Sequence, residues 1–84
     1  MNVAATRGSI DEMEVLLAHG AHVNEAGEHG YAPLHNAVEQ GHLDAVLWLV
    51  AHGANMSLRN AAGETPADLA RILREESIAE ALGG

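Results

Sequence analysis

Eighty-four residues suffice for one small domain that buries about 60 to 65% of the surface its unfolded chain exposes, so the core must be economical. Twelve acidic against four basic side chains leave a formal charge of −8, which repels phosphate backbones and anionic lipid and excludes nucleic acid and membrane surfaces as partners. With no Phe, no Cys, one Trp and one Tyr, the core falls to Ala, Leu, Val, Ile and Met, which suits thin stacked helices better than a sheet sandwich.

The lack of cysteine removes any disulfide framework or thiolate site and fits a reducing compartment. No apolar run approaches the ~20 residues of a membrane span, and the N-terminus lacks the basic-then-apolar pattern of a secretory signal. An intracellular, cytoplasmic location is expected, with a secreted effector left open. Catalytic apparatus is also missing: there is no G-x-S-x-G turn, no Cys nucleophile, no glycine-rich phosphate loop and no H-E-x-x-H spacing. The chain is therefore read as a non-enzyme that uses no cofactor.

In chain order, Asn2 to Arg7 is a short helix ending at Gly8, and Ile10 to His19 a longer one ending at Gly20, with Gly suited to the left-handed residue that closes a helix. Ile10, Met13, Leu16 and Leu17 share one face of the second helix, while Asp11, Glu12 and Glu14 point elsewhere. Ala21 to Tyr31 reads as a turn, with Gly27 and Gly30 around Glu28-His29. Ala32-Pro33 begins the next short helix, and Leu43 to His52 follows with Leu43, Val46, Leu49 and Val50 on its apolar face. Leu47 beside Trp48 is exposed on that helix, which is ordinary for a lone Leu or else marks a self-association or partner patch on the outer face.

Asn55 to Glu64 is a second turn, with Asn60 and Gly63 as turn formers and little regular strand expected. Thr65-Pro66 opens another short helix with a capping hydroxyl and a proline in the first turn, whereas Ala32 lacks that hydroxyl. Ser77 followed by Glu80 has capping-box spacing and predicts a final helix through Leu82, with Glu75 and Glu76 as part of a solvated face. Ile72 and Leu73 are either packed by an altered C-terminal helix or extend the binding surface. Asp68 is within helical reach of Arg71.

These segments recur at a spacing of 33 residues. Gly8, Gly41 and Arg74 share a column, as do Ala4, Ala37 and Ala70, while Gly30 pairs with Gly63 and Pro33 with Pro66. Glu12 takes the column of Ala45, which suits a terminal unit with one face in water. The stretch APLHNAVEQGH around Pro33 to His42 resembles the ankyrin repeat signature, and TPADLA from Thr65 resembles the start of a closing repeat. The resemblance implies an all-α ankyrin-repeat solenoid of stacked helix-turn-helix units joined by projecting β-turn or hairpin loops. One domain over 1–84 would comprise a capping-type repeat at 1–29, a full repeat at 30–62 and a C-terminal capping-type repeat at 63–84.

The family's way of binding implies a non-catalytic protein-interaction module that grips a basic or polar protein partner with its concave side and projecting turns. Carried over by column, the contact residues are Thr6, Arg7 and His19 from the first repeat. Glu28, His29, Tyr31, Glu39, Gln40 and His52 come from the middle one, and Ala61, Ala62 and Glu64 from the last. Tyr31 leads, because Tyr combines apolar area with a hydroxyl. The alternative is a structural or dimerising element docked through Leu47, Trp48 or an open repeat face, although a monomer is the first expectation and a weak homodimer the second. A third reading, hydroxylation of Asn24, follows from the resemblance alone.

Six histidines raise the question of a metal. His35 and His42 occupy positions where ankyrin repeats carry structural His. His19 and His52 are column mates on helices ~8 to 10 Å apart, too far for two ligands each at ~2.0 to 2.1 Å from zinc without strain. No metal site is assigned.

Overall fold

The computed structural model describes residues 1–83. Short helices come in pairs: α1 (Asn2–Arg7) with α2 (Ile10–Ala18), α3 (Pro33–Glu39) with α4 (Leu43–Ala51), and α5 (Pro66–Ile72) with α6 (Glu76–Ala81), and among the described residues no strand forms. A 3-10 turn, Glu28–Gly30, interrupts the first long connection. This is the all-helical ankyrin-type stack that the 33-residue register implies.

Local chemistry sets the helix limits. Each first helix stops at a left-handed residue: Gly8 (φ 67°), Gly41 (φ 72°) and Arg74 (φ 60°). Gly8 is required twice over, because a Cβ there would also stand 2.6 Å from the His42 ring. Thr65 caps α5 reciprocally: its hydroxyl accepts the Asp68 N–H and its own N–H donates to the Asp68 carboxylate, both at 3.2 Å. Ala32 holds nearly the same backbone angles and makes no side-chain cap.

The core is one continuous cluster running from Ala4, Ala5 and Met13 through Leu34, Ala37, Val38, Ala45, Val46 and Leu49 to Leu69, Ala70 and Ile78. Leu16 packs against the cluster to which Leu49 belongs, as stacked helices require. First helices carry most of this stacking, α1 on α3 and α3 on α5, while the second helices touch more lightly. Ala is abundant along that seam because small side chains let backbones approach closely. Glu12 is exposed and pairs with Arg7 at 3.3 Å, whereas Ala45 in its column is fully buried.

Three sequence expectations change. α6 starts at Glu76 with Glu75 as its N-cap, so Ser77 lies inside the helix and caps nothing. The reason is the left-handed Arg74, which ends α5 and puts Glu75 in the capping column of Ser9 and His42. Glu75 is accordingly half-buried against Gly41 rather than part of a solvated face. Ile72 and Leu73 are not packed by α6: they are 60% and 42% exposed.

Candidate protein-binding groove

The slab is thin, 33 × 24 × 19 Å, so its recesses are surface concavities rather than enclosed pockets. One of about 410 Å³ lies between the Glu28–Tyr31 turn, the exposed side of α3 and the Asn60–Glu64 loop. Its lining includes Glu28, His29, Tyr31, Glu39, Ala61, Ala62 and Glu64, seven of the residues singled out from sequence. A second, of about 470 Å³, takes in Asn2, Val3, Thr6 and Arg7 and shares Glu28 and Asn36 with the first, making a continuous groove along α1 and α3.

The groove is built from the backbone outward. Gly27 N–H donates to the Tyr31 carbonyl at 2.8 Å and, one repeat on, Asn60 N–H donates to the Glu64 carbonyl at 2.9 Å, so both turns close the same way. Ala61 N–H donates to the His29 carbonyl at 2.9 Å and ties one turn to the next. Gly30 makes that approach possible, since a Cβ there would stand 2.8 Å from the Ala61 nitrogen. Asn60, almost fully buried, accepts from the Ala62 and Glu64 N–H groups at 3.0 and 2.9 Å and donates to the Glu64 carboxylate at 2.9 Å, holding that side chain in place.

Buried His35 ties the start of α3 to the second loop. Its Nδ1 accepts the Ala32 N–H at 3.1 Å, so Nε2 carries the proton and donates to the Glu64 carbonyl at 2.8 Å. Both ring nitrogens are therefore occupied even without the threonine hydroxyl missing at position 32. Tyr31 tilts against this ring, with centroids 5.5 Å apart, and its hydroxyl donates to the Glu39 carboxylate at 3.0 Å. Burial, then the hydrogen bond to Glu39 and the charges of Glu39 and Glu64, push the phenol above its usual range.

Glu28, Glu39 and Glu64 thus converge on a recess lined by no Arg and no Lys. Arg7, in the adjoining recess, is engaged by Glu12. In that recess Asn36 donates to Asn2 Oδ1 at 3.0 Å, Asn2 donates to the Glu25 carbonyl at 3.2 Å, and Thr6 donates to the Asn2 carbonyl at 2.9 Å.

Gln40, His19 and His52 line neither recess. Gln40 is exposed at the end of α3. His19 and His52 each lay Nδ1 on the carbonyl four residues back, Val15 and Trp48, at 2.7 Å, which folds the rings onto their own helix ends. His52 also stacks on Trp48 at 3.9 Å. His42 donates to the Thr6 carbonyl at 3.0 Å, the structural use expected of it. Asn24 bridges to the next loop, accepting the Asn55 N–H at 2.7 Å. Among the described residues no group of three or more His, Asp or Glu stands close enough to hold a metal ion.

Asn2, Val3, Asn36 and Asn60 are the lining residues that sequence reasoning did not assign to the site. The register offered a signal for the first three: Asn2 stands in the column of His35 and Val3 in that of Asn36, and stacking α1 on α3 brings these offset positions face to face.

Comparison with known proteins agrees with this architecture. The family model for ankyrin repeats in three copies matches residues 1–60. An ankyrin repeat-containing protein of Schizosaccharomyces pombe is 41% identical over 64 residues, which is 76% of this chain and 31% of that protein. Human cyclin-dependent kinase inhibitor 2A is 38% identical over 76 residues, 89% of this chain and 49% of the relative. Human BCL-6 corepressor-like protein 1 is 36% identical over 70 residues, 83% of this chain and 4% of its own length. The chain thus spans half or less of each of these relatives. Helix pairs in a 33-residue register, the P-L-H helix start at Pro33 and the matched family model together establish that the chain belongs to the ankyrin repeat family.

Proposed function

We propose that this domain is a non-catalytic module that binds a basic or polar segment of a partner protein along the groove of α1, α3 and the two turns. Ankyrin repeats are generally protein-interaction modules, and one relative is by name an inhibitor of kinases, which are proteins. The single observation that carries the reading is the convergence of Tyr31 with Glu28, Glu39 and Glu64 in a recess lined by neither Arg nor Lys. Tyr31 supplies the apolar anchor and the carboxylates steer the encounter and fix its orientation. The repeats 1–29, 30–62 and 63–84 act as one domain in this, since the groove takes residues from all three.

Affinity capture with mass spectrometry, followed by titration with the captured segment, tests it. Tyr31→Ala weakens binding by about 2 kcal/mol, roughly 30-fold, as loss of a central anchor does, while Glu14→Ala on the exposed side of α2 leaves it unchanged. Equal binding by the two variants sinks the reading. Salt provides a second arm: association slows as ionic strength rises.

A second reading, a structural element docked through an open repeat face, is favoured by Val3 and Val15, 65% and 58% exposed in the columns of the more buried Asn36 and Trp48. Light scattering separates the two. A monomer at high concentration removes self-docking, and a dimer broken by Val15→Asp supports it.

A further inference from the structure

Glu75 shares a register column with Ser9 and His42, and each of those residues serves the fold differently. Ser9 caps α2, its hydroxyl accepting the Glu12 N–H at 3.3 Å. His42 leaves α4 without a side-chain cap and donates across the stack to the Thr6 carbonyl of α1 at 3.0 Å. Glu75 does neither. Its carboxylate makes no cap to α6 and lies over Gly41, with Oε1 3.3 Å from where a Cβ on that glycine would stand. The other oxygen, Oε2, is buried with no hydrogen-bond partner. A carboxylate oxygen removed from water and given no donor is an unfavourable arrangement.

The surrounding charges do not relieve it. Arg71 and Arg74 from the end of α5 and Glu76 from α6 line the same hollow of about 210 Å³, and His42 and Asp44 lie across Gly41 on the middle pair. Among the described residues the ion pairs are Arg7 with Glu12 and Arg71 with Asp68, so neither neighbouring guanidinium is paired with Glu75. In the 33-residue register residue 75 corresponds to His42 and Glu39 to Thr6, so the acceptor that corresponds to the Thr6 carbonyl is the Glu39 carbonyl, at the negative end of α3.

We propose that the Glu75 carboxyl is a proton-operated latch between the middle and last helix pairs: protonated, it donates across the seam to the end of α3, and ionised, it stands unpartnered there and loosens the last pair. Burial raises this carboxyl above the ordinary glutamate range. A carboxyl that holds its proton more tightly when folded stabilises the folded state progressively as pH falls through its folded value. The gain is complete below the unfolded value, and at neutral pH the ionised group is a liability.

Two measurements test the latch. Carbon-detected NMR titration of the glutamate carboxyls places Glu75 above the ordinary glutamate range. Amide-exchange protection of α6, relative to α2, rises over the same pH interval by about tenfold for each unit separating the folded and unfolded values. Glu75→Gln, which keeps the shape and supplies a permanent donor, gives α6 its high protection already at pH 7 and removes the pH dependence. Glu76→Gln leaves that dependence intact. Titration of Glu75 at or below the ordinary glutamate range, as pairing with Arg74 would produce, overturns the proposal. So does a pH dependence that survives Glu75→Gln, or a loss of α6 protection in that variant at pH 7.

Discussion

Two single positions depart from what their columns ask for, and each gives a measurable consequence. Ala32 begins α3 with the backbone angles of Thr65 but without the hydroxyl that accepts an amide proton. Ala32→Thr therefore supplies a cap worth about 1 kcal/mol, which raises the melting temperature by roughly 4–8 °C in a domain this small. A melt that stays level or falls shows that the buried position has no room for the added atoms. Arg74 sits at φ 60° where Gly8 and Gly41 hold the same angle without a Cβ. Relief of left-handed strain outweighs the extra freedom glycine gives the unfolded chain, so Arg74→Gly stabilises by about 0.5–1 kcal/mol in urea unfolding. His29, at φ 56°, is strained in the same sense on the rim of the groove. His29→Gly is expected to raise stability while weakening partner binding, a divergence that marks a side chain kept for contact rather than for folding.

At the scale of elements, α5 is the helix whose start depends on charge. The Thr65 backbone N–H and hydroxyl, followed by Arg71, hold the Asp68 carboxyl below its usual range. A carboxyl lowered in the folded state contributes stability above its unfolded value and loses it as pH falls through the folded one. Asp68→Asn therefore destabilises at neutral pH, and the difference from the parent closes in acid. Denaturant midpoints at pH 7 and pH 3 check this, and an equal gap at both would dismiss the charge as the cause.

Helix positions are readable from sequence because Gly8, Gly41, Pro33 and Pro66 punctuate a periodic pattern whose meaning is local. The Glu28–Tyr31 and Ala61–Glu64 part of the groove is readable for the same reason, as turns fall at fixed columns. What stays hidden depends on contacts between pairs. Nothing along the chain says that Glu75 turns onto Gly41, or that Ser77 is pre-empted as a cap by a left-handed Arg74. His19 and His52 face outward by column, yet a carbonyl four residues back claims each ring.

For the whole molecule, the decisive fact is that one thin cluster of small apolar side chains joins all the helix pairs. Such an array has little stability to spare, since each pair buries its apolar face only against its neighbours. Leu49→Ala, which opens a cavity in the fully buried centre of α4, costs about 2–5 kcal/mol. That is comparable to what a chain of this size holds in total. Circular dichroism is expected to show the variant largely unfolded at 37 °C, whereas Leu47→Ala on the exposed side of the same helix melts like the parent.

The bond from Ala61 N–H to the His29 carbonyl has a further bearing. Because it sews one turn to the following one with only Gly30 between them, a peptide seated across both would clamp two separate stretches of chain at once. Occupancy would then register as added heat resistance, by roughly 2.7 kcal/mol at a ligand concentration one hundred times the dissociation constant. A melting-curve screen of candidate peptides would thus pick out a binder by the upward shift alone.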